Sequence, residues 1–265
     1  MRLAILASGS TGNCTLVSCG DKHLLIDAGI SARRITAALR ELGLAPEKIG
    51  AVLITHDHSD HIQGLRNFAL NRKIPVFASC AAAEAICRAT GCPAESLSAL
   101  EPGRPLRLDG FGITCFPTPH DAPGSLGYRI SGADGTLGYA TDTGTVTPEM
   151  LEGLRGTDTA VIEANHDPEM LRAGRYPPYI KERIRSPLGH LSNEGCGRLA
   201  AILAGEGTKR LILAHLSREN NTPGKAREAV AAALAEAGRT AELFVAPERG
   251  VLELAWAKEV EPCWE

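Results

Sequence analysis

The sequence contains no run of ~18 uninterrupted apolar residues, the length a membrane-spanning helix needs. Its opening apolar run, residues 1–7, is broken by Ser8-Gly9-Ser10 and is too short for the core of a secretory signal. The chain therefore reads as cytoplasmic, with no membrane partner. An excess of basic charge is also missing: 28 Lys and Arg face 31 Asp and Glu, a formal charge of −3. Any phosphate-binding surface must then be local. The eight cysteines include no C-x-x-C pair, which excludes zinc-ribbon and thioredoxin chemistry. Without a secretion signal, these thiols are expected to be reduced and mostly buried. There is no G-x-x-x-x-G-K-[ST] phosphate loop, so glycine-rich residues 8–13 read as a tight turn between strands. Solenoid-length repeats and low-complexity linkers are absent as well. At 265 residues, 44% apolar and 22% charged, the chain has the composition of one ordinary globular domain.

Periodicity gives an α/β alternation. Strands are expected at 2–7, 14–18, 22–27, 50–55 and 75–78, with helices at 31–42, 61–72 and 80–90. The middle of the chain is poorer in helix, with strands at 106–108, 113–116, 127–130 and 137–141. The second half returns to alternation: strands at 160–164, 210–214, 243–245 and 251–254, helices at 193–203 and 223–237. Two strand-rich halves, each with its own helices, suit two packed sheets with helices outside. With no composition break, residues 1–265 are expected to form a single hydrolase domain.

Residues 55–61 read Thr-His-Asp-His-Ser-Asp-His, directly after the apolar run Ala51-Val52-Leu53-Ile54. A lone histidine is usually structural, but three histidines and two aspartates in seven positions are not. Imidazole and carboxylate are the donors that zinc, manganese and iron accept. His56 and His58 are two apart, so both rings point the same way in extended backbone. Asp60 and His61 follow after a turn and can face a second ion. Three further donors, His120, Asp142 and His215, each follow an expected strand, where sites gather in α/β sheets.

The order H-x-H-x-D-H, then a distant His, Asp and His, resembles the metallo-β-lactamase superfamily. That resemblance implies an αββα four-layer sandwich and two divalent metal ions per chain, zinc or manganese, with iron acceptable. It implies one ion on His56, His58, His120 and Asp142, and the other on Asp60, His61, Asp142 and His215. Asp27, closing a strand, fits the superfamily's early aspartate, which supports the metal loop from behind. Aspartate rather than cysteine at position 142 argues against the β-lactamase branch. Residues 8–13 (S-G-S-x-G-N), 163–167 (Glu-Ala-Asn-His-Asp), 189–193 (Gly-His-Leu-Ser-Asn) and 214–221 are similar to the YycJ (WalJ) group of bacterial metallohydrolases. This group is related to RNase Z and to PhnP-type phosphodiesterases. The likeness implies a phosphodiesterase, a 5′-to-3′ DNA exonuclease using a metal-bridging hydroxide. Hydrolysis of small cyclic phosphodiesters or thioesters, and RNA processing, remain the alternatives.

Roles follow for the other polar residues. Asp60 is expected to orient the hydroxide. His190 is the first candidate to protonate the leaving oxygen and His166 the second, since histidine titrates near neutral pH. Ser192 lies beside His190 as a substrate contact or as a helix cap. Asn13 is placed at the site rim. Asn220 and Asn221 contact phosphate or initiate the helix before Pro223. Residues 171–185 carry five basic side chains against one acidic. Arg172, Arg175, Lys181, Tyr176 and Tyr179 there suit nucleic acid, DNA before RNA, through phosphate contacts and base stacking; a solvated basic helix is the plainer alternative.

Overall fold

The computed structural model describes residues 1–255. The first apolar segments form an antiparallel meander of β1 (Arg2–Ala7), β2 (Cys14–Cys19) and β3 (Lys22–Ile26). Helix α1 (Ala32–Glu41) is capped by Ser31, whose side chain accepts from the Arg34 amide. It buries Ile35 and Leu39, an i,i+4 stripe facing the sheet. Strand β4 (Ile49–Leu53) pairs parallel to β3. Then come α2 (Ser59–Ile62), α3 (Leu65–Phe68), β5 (Val76–Ser79), α4 (Cys80–Thr90) and β6 (Ser98–Leu100). A second sheet starts with β7 (Leu106–Leu108), β8 (Phe111–Pro117), β9 (Leu126–Gly132) and β10 (Gly135–Ala140). It continues through α5 (Pro148–Leu154), β11 (Thr159–Glu163), α6 (Pro168–Ala173), α7 (Pro178–Arg185), α8 (Asn193–Gly205), β12 (Arg210–Ala214), α9 (Pro223–Glu236) and β13 (Glu242–Val245). Strand β14 (Leu252–Ala255) returns to pair with β1.

Each sheet has seven strands, ordered β14-β1-β2-β3-β4-β5-β6 and β13-β12-β11-β10-β9-β8-β7. Alternation along the strands divides their side chains between two faces. Leu24 and Ile26 of β3 join Leu3, Ile113, Tyr128 and Val161 between the sheets. Leu25, on the other face, packs with Ile35, Leu39, Phe68 and Ile86 of the helices. In the second sheet Ile162, Leu211 and Leu213 pack outward on Met150, Leu199 and Val230. Three apolar layers thus separate helix, sheet, sheet and helix, the expected αββα sandwich. Among the described residues no helix is long and apolar enough to cross a membrane.

Two expectations need correction. The helix over 61–72 is broken into α2, α3 and a 3₁₀ turn at Leu70–Arg72. The break falls at Gly64, whose amide donates to the Ala28 carbonyl at 2.8 Å. A Cβ at Gly64 would lie 2.1 Å from the Ile30 carbonyl oxygen, so the chain passes too close to residues 28–30 to run on as one cylinder. Cysteine burial is also less general than expected. Cys14, Cys115 and Cys196 are buried, Cys19, Cys87 and Cys92 are half-buried, and Cys80 is exposed, because it opens α4 at the surface. Cys263 lies outside the described residues.

The same close packing fixes Gly29. A Cβ there would sit 1.6 Å from the Asp60 carbonyl oxygen, which also accepts from the Asn13 amide at 2.8 Å. Gly29→Ala is expected to cost about 1–3 kcal/mol or more, as overpacking does, and to weaken divalent-cation affinity with it. Thermal unfolding and a calorimetric metal titration check this. Wild-type values in both would show that the loop relaxes freely.

Candidate metal centre

The donor-rich loop follows β4 and is held from behind by Asp27, at the end of the neighbouring β3. The Asp27 carboxylate is fully buried. It accepts from the Thr55 amide at 2.8 Å and from the Thr55 hydroxyl at 3.0 Å. Its other oxygen lies 2.8 Å from His61 Nδ1. That bond turns His61 Nε2 toward Asp60 at 3.4 Å and Asp142 at 3.2 Å. Burial opposes charge on His61, but Asp27 and Asp142 outweigh it and raise its pKa well above the ordinary value.

The donors fall into overlapping groups. His56, His58 and His120 form one, with ligand atoms within 4.8 Å of one another; Asp60, His61 and His215 form another. Between them stands Asp142, 2% exposed, 3.8 Å from His120 Nε2 and 3.4 Å from His215 Nδ1. Burial raises the Asp142 pKa, yet His215 and His61 drive it well below the usual carboxylate range. Asp27, Asp142 and His215 all hold a left-handed backbone, with φ of 60°, 55° and 55°. Each costs on the order of 1 kcal/mol or more, and such residues gather at functional sites. The fit to a divalent cation is chemical. His56 Nε2 is buried and makes no hydrogen bond, an unfavourable state for a polar atom that a cation would relieve.

The sequence reading did not single out Glu163. It ends β11, is fully buried, and binds four donors. Its Oε2 accepts from the Thr143 and Leu191 amides at 2.9 and 3.1 Å. Its Oε1 lies 2.8 Å from His190 Nδ1 and 2.9 Å from His215 Nδ1. A signal was present: a carboxylate closing the apolar run Ala160-Val161-Ile162 must find partners when buried. Burial raises the Glu163 pKa, but His190 and the two histidine hydrogen bonds pull it below the usual range. For His190 burial acts downward, and Glu163 more than reverses it.

Other expected residues divide by position. Asn13 Nδ2 lies 3.0 Å from His61 Nε2 and 3.3 Å from Asp60 Oδ2, among the donors. His166 is 3% exposed, its Nδ1 has no partner, and burial pushes its pKa down to about 4. The Ser192 hydroxyl caps α8 by accepting from the Gly195 amide. Asn220 and Asn221 are buried braces. Asn221 Nδ2 donates to the Ala164 carbonyl and to Asn193 Oδ1, both at 2.8 Å, and Asn220 turns to Ser217 Oγ. The cap of α9 is instead Thr222. In the basic stretch Arg172 pairs with Glu169 at 2.6 Å, and Lys181 donates to the Arg172 carbonyl. Arg175 and Tyr179 are exposed and Tyr176 is half-buried. Arg183 ties α7 to the donors through Asp121, whose other oxygen is 3.5 Å from His120 Nε2.

Residues 22–216 match the family described as beta-lactamase superfamily domain. The chain belongs to the beta-lactamase superfamily. It is a hydrolase of that superfamily. It is 36% identical to exodeoxyribonuclease YycJ of Bacillus anthracis, over 90% of each chain. It is 37% identical to exodeoxyribonuclease WalJ of Streptococcus pneumoniae serotype 2, over 89% of each. The metallo-beta-lactamase fold protein YhfI of Bacillus subtilis superposes with a TM-score of 0.72 at 20% identity, covering 95% of this chain and 98% of that one. The superfamily's two-sheet fold thus brings donors from both sheets to one edge.

Proposed function

We propose that this chain is a dinuclear metal-dependent phosphodiesterase that shortens DNA from its 5′ end. The observation that carries this reading is two donor groups with Asp142 between them, and His190 held beside them by Glu163. The two exodeoxyribonucleases similar over nine-tenths of the chain support it. One cation would be held by His56, His58, His120 and Asp142, the other by Asp60, His61, His215 and Asp142. Both sets take zinc or manganese, and iron is compatible.

When bound, the two cations supply Lewis acidity to a phosphate oxygen and to the attacking water. Asp60 orients that water. Glu163 accepts from His190 Nδ1 and leaves Nε2–H to protonate the departing oxygen. Neutral His166 and the Ser192 hydroxyl hydrogen-bond the phosphate, and Asn13 keeps Asp60 and His61 in register. Asn220 and Asn221 act at one remove, by bracing the backbone beside His166. Tyr179 stacks on an unpaired base, with Tyr176 beneath it, while Arg172, Arg175 and Lys181 follow the backbone phosphates.

Metal-loaded protein with 5′- and 3′-end-labelled single- and double-stranded DNA tests the reading. Metal-dependent nucleotide release is expected, abolished by chelation and by His58→Ala. No metal-dependent product, or a His58→Ala variant equal to wild type, would sink it. Turnover of cyclic nucleotides or bis-p-nitrophenyl phosphate without DNA cleavage would move the reading to small diesters.

A further inference from the structure

We infer that the cavity beside His190 seats the terminal nucleotide of the strand, the one released at each turnover; this rests on the phosphodiesterase reading above. The cavity has a volume of about 600 Å³, inside the ~300–1,000 Å³ range of small-molecule sites. Its lining is chemically mixed. His166, His190 and Ser192 are part of it. The lining also has apolar side chains, among them Val146, Leu151, Leu199 and Ile202. Arg185 and Arg198 also line it, and no carboxylate does.

Three observations point to a nucleotide. His166 is 97% buried by its 3% exposure, and its Nδ1 has no partner; a polar ligand would satisfy such a group. Arg198 is exposed and forms no ion pair or hydrogen bond among the described residues, so its charge is available to an anion. Ile202 is 41% exposed, one of three large hydrophobics so placed among the described residues, and it follows buried Leu199 by one helical turn. Apolar side chains, a free guanidinium and hydrogen-bonding groups together suit a base, a phosphate and a sugar. A phosphate alone would leave the apolar side chains bare.

The placement is consistent with the chemistry. Water oxygen bonds to phosphorus, the bond from phosphorus to the 3′ oxygen of the terminal nucleotide breaks, and that oxygen takes the proton of His190 Nε2. The products are a deoxynucleoside 5′-monophosphate in the cavity and a strand with a new 5′-phosphate. The proton lost by the attacking water leaves to solvent and His190 Nε2 is reprotonated from solvent, so the net change is one water consumed. The released nucleotide keeps the 5′-phosphate its strand end already carried. The 3′ oxygen faces His190, the base lies on Leu151 and Ile202, and the 5′-phosphate meets Arg198.

The test measures equilibrium binding of deoxyadenosine 5′-monophosphate, deoxyadenosine and inorganic phosphate to the full chain by calorimetry. Wild type, Ile202→Trp and Arg198→Glu are compared. The monophosphate is expected to bind about tenfold tighter than either fragment, and each variant to weaken it by about fivefold or more. In parallel, the ratio of single-stranded DNA turnover to bis-p-nitrophenyl phosphate turnover is expected to fall about tenfold in both variants. Monophosphate binding no tighter than phosphate, or equal in all three proteins, overturns the proposal even if DNA is cleaved. Selective monophosphate binding with no DNA cleavage by wild type sustains the cavity and removes the nuclease reading.

Discussion

Asp142→Ala is expected to lower hydrolysis by ~10³-fold or more, about 4 kcal/mol of barrier, and to reduce the divalent metal bound per chain. Among the described residues Asp142 is the one carboxylate within reach of both donor groups: 3.2 Å from His61, 3.8 Å from His120 and 3.4 Å from His215. Alanine removes an oxygen from each set and leaves clustered imidazoles with less compensating charge. The loss is chemical rather than structural, because Asp142 lies past the end of β10 and outside the three apolar layers. Metal analysis after gel filtration, steady-state kinetics and circular dichroism together check this. A folded variant with full metal content and near-wild-type turnover would refute Asp142 as a shared donor.

Glu163→Gln is expected to cost ~10–100-fold in kcat on DNA, the usual range when a residue orienting a ligand or catalytic ring is lost. Glutamine keeps the shape, but a neutral amide oxygen cannot stabilise two histidine N–H groups as the carboxylate does. The two histidines give separable signatures. If Glu163 acts through His190, the loss is large on DNA, whose leaving oxygen needs a proton. It is small on bis-p-nitrophenyl phosphate, whose leaving group departs without one. Equal losses on both substrates would assign Glu163 to holding His215 alone. The pH profile carries a sign. Burial depresses the His190 pKa and Glu163 raises it above the ordinary value. A histidine that must be protonated stays active up to its own pKa, so losing the carboxylate moves the alkaline limb to lower pH.

The loop over 55–61 was legible because its donors are adjacent in sequence. His120, Asp142 and His215 were legible for a different reason: each follows a strand, and parallel or hairpin pairing aligns those ends. Glu163 was read as part of a strand and of the 163–167 segment but given no role at the site, because burial and partners are properties of the folded chain. Asn221 shows the converse. Its motif suggested phosphate, but its amide closes backbone gaps at Ala164 and Asn165. Helices α5, α6 and α7 were not assigned from periodicity. Each is at most eight residues long and starts at a proline, too short for a 3.6-residue repeat to declare itself. The break at Gly64 came from a close approach to residues 28–30, which no local propensity encodes.

The division of donors between the sheets bears on how the protein is made. A nascent chain released after α4 holds His56, His58, Asp60 and His61, but none of the donors from the second sheet. His215 emerges 154 residues after His61 (215 − 61). A truncated translation product would therefore carry the recognisable motif and no complete set of ligands. For an enzyme proposed to degrade DNA, catalytic capacity would wait until both halves exist and can close on one another.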